Sequence, residues 1–218
     1  MNSKIMLNKF KKILIFAPHT DDGEFGCGGT IAKFIEEKKE VFYVAFSSAE
    51  KSVPKGFPKD ILKKELKKAI KILGIPEKNL ILFDYPVREF PKYRQEILEN
   101  MILLGKKIKP DLILLPSTFD THQDHQVIAQ EGFRAFKTTS MLGYEITWNN
   151  LTFNTNCFVI LKEKNLQKKL QAIRCYKSQS KRVYASNETM KSLAITRGRQ
   201  IGTNQYAESF EMIRWIIK

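Results

Sequence analysis

Short apolar runs alternate along the chain with stretches whose apolar residues recur every three or four positions. KILIFA (12–17), VFYVAFS (41–47), NLILFDY (79–85), DLILLPS (111–117) and CFVILK (157–162) are rich in Ile, Val, Leu and Phe. Strands covered on both faces of a parallel sheet need such continuous runs. Helical periodicity predicts helices over 30–38, 59–73 and 93–107, another beginning near Asp124, and a fifth over 163–173. In the second of these, Leu62, Leu66, Ala69, Ile70 and Leu73 share one face, and Gly74 followed by Pro76 supplies a stop. Thr30 is expected to cap the first helix. The alternation predicts an α/β, Rossmann-like doubly wound fold: a mostly parallel sheet of about five to six strands with helices on both faces. The region after residue 174 is expected to hold loops and helices that cap the sheet. With 218 residues, the length suits one domain over 1–218.

In the common strand order the first and fourth strands are neighbours, and ligands bind in the crevice beyond their C-terminal ends. Two polar clusters follow those strands: PHTDDGEFGCGGT (18–30) and FDTHQDH (119–125). All three histidines of the chain, His19, His122 and His125, lie within them. A lone histidine is ordinarily a satisfied structural residue, but three converging on one crevice beside carboxylates point to metal chemistry. Open zinc sites take three protein N or O ligands plus water, and any three of His19, Asp22, His122 and His125 suit that demand. Zinc is the first expectation, with iron or manganese as alternatives. Such an ion lowers the pKa of bound water from 15.7 to about 7, and a further carboxylate then serves as general base. The glycines of GCGG are expected to let the chain turn tightly and bring the first helix close to the sheet. They do not form G-x-G-x-x-G, and the acidic residues around them would repel a pyrophosphate, which argues against a dinucleotide site.

Charge widens the range of partners. The formal net charge of +14 attracts nucleic acid, anionic lipid or phosphorylated small molecules. Much of it sits in helical patterns such as LKKELKKAIKILG, where a solvated face is ordinary, and no nucleic-acid-binding motif accompanies it, so nucleic acid is not expected. Peripheral contact with an anionic membrane and oligomer formation stay open. Cys27, Cys157 and Cys175 are far apart, without a CxxC pair, and imply neither a disulfide framework nor a thiolate metal site. The start, MNSKIMLNKFKKILIF, has lysines where a secretory segment needs unbroken apolar sequence, so a cytoplasmic location is expected.

The motifs resemble those of the PIG-L or LmbE-like deacetylases, zinc-dependent enzymes that remove acetyl groups from N-acetylglucosamine-type sugars. PHTDDGEFGCGGT resembles the family's first signature, HQDH (122–125) its second, and RGRQIGTNQYAESF (197–210) a looser C-terminal element. The resemblance runs from residue 12 to about 211. It implies that His19, Asp22 and His125 hold zinc, and that Asp21 is the general base. It further implies that His122, oriented by Asp124, stabilises the oxyanion and protonates the departing amine. Thr20 and Gly23 replace a common proline and glutamate, with Glu24 one place later, and Asp120 stands where some members carry a tyrosine. Glu50 and Arg197 are the substrate-binding candidates, set against readings as a surface charge and a structural ion-pair partner. Tyr144, Glu145 and Trp148 could stack on a sugar or simply pack. The expected activity is release of acetate from an N-acetylglucosamine-type sugar or its conjugate. The alternatives are hydrolysis of a different amide, or a basic nucleic-acid- or lipid-binding protein with a structural metal.

Overall fold

The computed structural model describes residues 10–217; the first nine residues of the lysine-interrupted start lie outside them. Strands β1 (Lys12–Ala17), β2 (Glu40–Ala45), β3 (Leu80–Leu82), β4 (Leu112–Pro116), β5 (Ser140–Tyr144), β6 (Cys157–Leu161) and β7 (Tyr206–Arg214) form one sheet in the order β3-β2-β1-β4-β5-β7-β6. From β3 to β5 the neighbours are parallel, whereas β7 runs antiparallel to both β5 and β6. The helices are α1 (Asp22–Glu36), α2 (Ile61–Leu73), α3 (Arg94–Ile108), α4 (Gln123–Ala135), α5 (Glu163–Ile173) and α6 (Asn187–Gln200).

Alternate side chains of β1 supply two cores. Ile13, Ile15 and Ala17 join Tyr43, Leu66 and Ile70 on the face covered by α1, α2 and α5, while Leu14 and Phe16 join Phe46, Ile97 and Ile128 under α3 and α4. Burial on both faces is why the β1 and β4 sequences read as unbroken apolar runs. Within α2, Gly74 ends the helix in a left-handed conformation at φ 92°, as the sequence predicts.

Three expectations need correction. The sheet's fifth parallel strand is β5, a short SMLGY segment without a β-branched residue; the 157–161 strand lies at the far, antiparallel edge. The region after 174 contributes β7, a strand inside the sheet, as well as a helix. Its apolar pattern is interrupted by Glu208, Ser209 and Glu211, which are buried with partners. Finally, α1 starts at Asp22, so Thr30 lies inside the helix and does not cap it. The GCGG run is therefore helical, with a kink at Cys27 (φ −145°, ψ 24°). Its glycines serve close approach: a Cβ on Gly26 would sit 2.2 Å from the Tyr144 ring, and one on Gly29 2.5 Å from Leu161. Beyond the kink, the Gly29 and Thr30 amides donate to Glu208 at 3.0 and 2.7 Å, and buried Lys169 donates to the same carboxylate.

Candidate active site

Parallel pairing of β1 with β4 sets the two polar clusters side by side at the sheet's C-terminal edge. The first runs from Pro18 into the N-terminus of α1, and the second leads into α4. Both are braced from behind. Glu24, buried beneath the first, is hydrogen-bonded to the hydroxyls of Tyr43 (2.5 Å) and Tyr176 (3.1 Å), and Tyr176 donates its own proton to the Thr20 carbonyl at 2.8 Å. Burial and the Asp21 charge raise the Glu24 carboxyl to about 8 against the two tyrosine hydrogen bonds. Glu211 of β7 braces the second, accepting from Ser117 Oγ and the Thr118 amide, both at 2.8 Å.

At the junction, His19 Nδ1, Asp22 Oδ2 and His125 Nε2 form a compact triangle. The separations are 3.1 Å from His19 to Asp22, 3.3 Å from His125 to Asp22 and 3.3 Å between the imidazoles. Ligands held about 2.0–2.2 Å from a tetrahedral ion stand about 3.3–3.5 Å apart, so this triangle has the dimensions of a coordination face. The outer nitrogens are tied to carboxylates: His19 Nε2 donates to Asp124 at 2.9 Å, and His125 Nδ1 to Asp120 at 2.7 Å. Those bonds fix the tautomer that turns a lone pair toward the triangle, the usual outer arrangement of a metal-binding histidine.

The charge balance also asks for a cation. Asp22, Asp120 and Asp124 surround two imidazoles. Burial lowers the His19 pKa, but Asp22 and the hydrogen bonds to Asp124 and Asp22 raise it to about 9. His125 reaches about 10 by the same opposition, with Asp22 and Asp120 outweighing burial. Asp22 is held well below the usual carboxylate range; burial opposes that shift and the two histidines drive it. A broader grouping of His19, His122 and His125, with donor atoms within 4.8 Å of one another, also has room for an ion. The aspartate-containing triangle is the tighter set.

His122 occupies the N-cap of α4, where Nδ1 accepts the Asp124 backbone N–H at 3.1 Å. This corrects the expectation that the Asp124 side chain orients His122. That carboxylate instead binds His19 and the backbone amides of Arg88 (2.6 Å) and Phe90 (3.2 Å). Burial, followed by the neighbouring His125 and His19, lowers His122 to about 4. Asp21 lies on the cavity wall, raised to about 6 by burial and then Asp22, against the opposing charges of Arg182 and His19.

The cavity over these groups measures about 390 Å³. Trp148 stacks on Tyr184 (centroids 3.9 Å apart, 20°) and meets Phe25 edge-on at 5.1 Å, forming an aromatic wall. Arg88 and Arg182 also line it. The two substrate candidates do not. Glu50 sits exposed on a short 3-10 turn whose neighbours Ala49 and Ser52 face the cavity. Arg197 is engaged with Glu145, in a two-point pair, and with Gln200. Tyr144 is a core residue, its hydroxyl donating to the Phe16 carbonyl at 2.9 Å.

Sequence reasoning met Asp120 only as a replacement for a tyrosine and gave it no role behind His125, and it passed over Arg88 and Arg182. Asp120 had a signal: a carboxylate within a few residues of a metal-binding histidine is a natural outer partner. The arginines had none, since tertiary structure brings them in from a loop after β3 and from the turns between α5 and α6.

Residues 14–136 match the family profile described as PIG-L, GlcNAc-PI de-N-acetylase. A diacetylchitobiose deacetylase of Thermococcus kodakarensis is 25% identical over 62% of this chain; the alignment spans about half of that relative, 52% of its length. An uncharacterized deacetylase of Escherichia coli, YaiS, is 27% identical over 78% of this chain and 93% of its own. Among solved structures, the N,N'-diacetylchitobiose deacetylase of Pyrococcus horikoshii superposes with a TM-score of 0.80 at 21% identity, covering 97% of this chain and 86% of that one. That likeness is one of fold.

Proposed function

Because the chain belongs to the PIG-L family, we propose that it is a metal-dependent hydrolase that removes the acetyl group from an N-acetylglucosamine-type sugar or its conjugate. The observation that carries this reading is the triangle of His19 Nδ1, Asp22 Oδ2 and His125 Nε2 at the β1/β4 crevice, with Asp21 and His122 beside it. The donor set fits a borderline divalent ion, and zinc is our assignment. His19, Asp22 and His125 would hold it, and bound there it supplies Lewis acidity and an acidified water.

The chain's own groups do the rest. Asp21 takes a proton from the attacking water as it adds to the acetamide carbonyl, and passes that proton to the departing nitrogen as the carbon–nitrogen bond breaks. Water and amide are thereby consumed, and acetate and amine are released. His122 acts as a neutral hydrogen-bond donor. With Nδ1 occupied by the Asp124 amide, its proton resides on Nε2, available to the oxygen that gains charge in the transition state. In this scheme His122 polarises the carbonyl, while the proton for the amine comes from Asp21. Asp124 and Asp120 are positioning residues that act through His19 and His125.

The test is acetate release from a panel of N-acetylated amino sugars, with and without chelator, in the wild type and Asp21→Asn. Loss of a general base costs about 10²–10⁴-fold. The variant should keep its metal and lose turnover on that scale; undiminished turnover removes Asp21 from the mechanism. Chelator-resistant acetate release removes the metal.

A further inference from the structure

Resting on the deacetylase reading, we propose that Gln179, together with Thr20, determines which sugar the cavity accepts, by receiving one uncharged hydroxyl of the substrate at the inner wall. Both residues line the cavity, yet they are only 2% and 1% exposed. Both also carry an atom in need of a partner: Gln179 Oε1 and Thr20 Oγ1 are buried and make no hydrogen bond among the described residues. Leaving a buried polar atom unpaired costs free energy, so such atoms ordinarily find partners. The other two unpaired side-chain atoms among the described residues, Thr30 Oγ1 and Asn150 Nδ2, belong to residues that do not line the cavity.

The surroundings fix which end of the Gln179 amide is free. Buried Glu65 accepts from the Ser178 backbone amide at 3.0 Å and from the Ser178 hydroxyl at 2.5 Å. With its proton committed to Glu65, Ser178 Oγ can only accept, and it does so from Gln179 Nε2 at 3.2 Å. The other end of the amide is therefore the carbonyl oxygen, an acceptor without a donor. One residue supports both groups: the Tyr176 carbonyl accepts from the Gln179 backbone amide at 3.0 Å, and the Tyr176 hydroxyl donates to the Thr20 carbonyl at 2.8 Å. The complement of an amide oxygen and a threonine hydroxyl is a group that donates to the first and accepts from the second. A hydroxyl does both, whereas an amide N–H only donates and an anion only accepts. Thr20 stands between His19 and Asp21, so the hydroxyl it meets belongs to the acetamido sugar itself. A site built around such a hydroxyl rejects the analogue that lacks it, because its own buried groups are then left unpaired.

The experiment compares kcat/KM for the methyl glycoside of N-acetylglucosamine with its 3-deoxy, 4-deoxy and 6-deoxy analogues. Unpaired buried acceptors predict a loss of about 10- to 100-fold for the analogue that lacks the recognised hydroxyl, which the series thereby identifies. Gln179→Met, of similar length but without the acceptor, and Thr20→Val, of the same shape but without the hydroxyl, should each bring the parent-to-deoxy ratio for that analogue toward unity. Because each ratio is taken within one protein, a smaller folded fraction leaves it unchanged. Three analogues turned over as well as the parent overturn the proposal. So does a ratio that survives either substitution. If no compound releases acetate, the deacetylase reading fails. Fluorescence of Trp148, which lines the cavity, then tests recognition alone in a Trp215→Phe background. Weaker binding of one deoxy analogue than of the parent, with the gap closed by Gln179→Met, supports the proposal; equal binding of all four compounds, or a gap that Gln179→Met leaves intact, refutes it.

Discussion

Glu24 offers a prediction whose size follows from its burial. The side chain has no solvent exposure and lies between the Tyr43 and Tyr176 hydroxyls, directly behind the loop that carries His19 and Asp22. Its pKa rises from 4.5 to about 8, chiefly through burial, so the folded protein retains a proton that the unfolded chain has already released. An acid raised in this way contributes stability that is fully present below pH 4.5 and is lost as pH rises through about 8. At about 1.4 kcal/mol per pKa unit, the loss over that window is on the order of 5 kcal/mol. Glu24→Gln keeps a neutral group of the same shape, with both a donor and an acceptor for the two tyrosines, and removes the titration. Urea unfolding of metal-free protein between pH 4.5 and 9 measures the effect. The wild type should lose several kcal/mol more than the variant across the window, because titrating groups remote from Glu24 cancel in the difference. Parallel stability curves for the two proteins would refute the assignment of a buried, protonated Glu24.

Two further substitutions probe the supports of the site and of the sheet. Asp120→Asn removes the charge that holds His125 Nδ1 at 2.7 Å, and should weaken metal affinity by about 10- to 100-fold in a competitive chelator titration. Gly26→Ala drives a methyl group to within 2.2 Å of the Tyr144 ring; thermal and urea unfolding should show a loss of about 1–3 kcal/mol from overpacking, whereas an unchanged midpoint would mean α1 can move off the sheet.

The elements visible in the sequence are those whose local pattern agrees with their final burial. β1 and β4 are apolar throughout because both faces are covered, and α2 carries its stripe and its Gly74 stop in plain view. β7 is hidden because the partners of Glu208 and Glu211, polar in sequence, come from distant segments: Lys169, the Ser117 and Thr118 hydroxyls and backbone amides. The first turns of α1 are hidden because glycines discourage a helix, and their purpose, contact with Tyr144 and Leu161, exists only in three dimensions. The same division holds at the site. Histidines clustered after the first and fourth strands were legible because topology alone brings those positions together. The choice of carboxylate behind each imidazole was not, since Asp124 crosses to His19 and leaves His125 to Asp120. Arg182 enters from turns with no periodic pattern, so nothing local marks it.

The central claim is that His19, Asp22 and His125 hold one divalent ion while His122 stands apart from it. Metal content after dialysis, measured for the wild type and for His19→Ala, Asp22→Ala, His125→Ala and His122→Ala, tests it most directly. About one ion per chain in the wild type and in His122→Ala, with loss in the other three, is the predicted result. Loss in His122→Ala as complete as in His19→Ala, with Asp22→Ala still loaded, would contradict it and make the three histidines the ligand set.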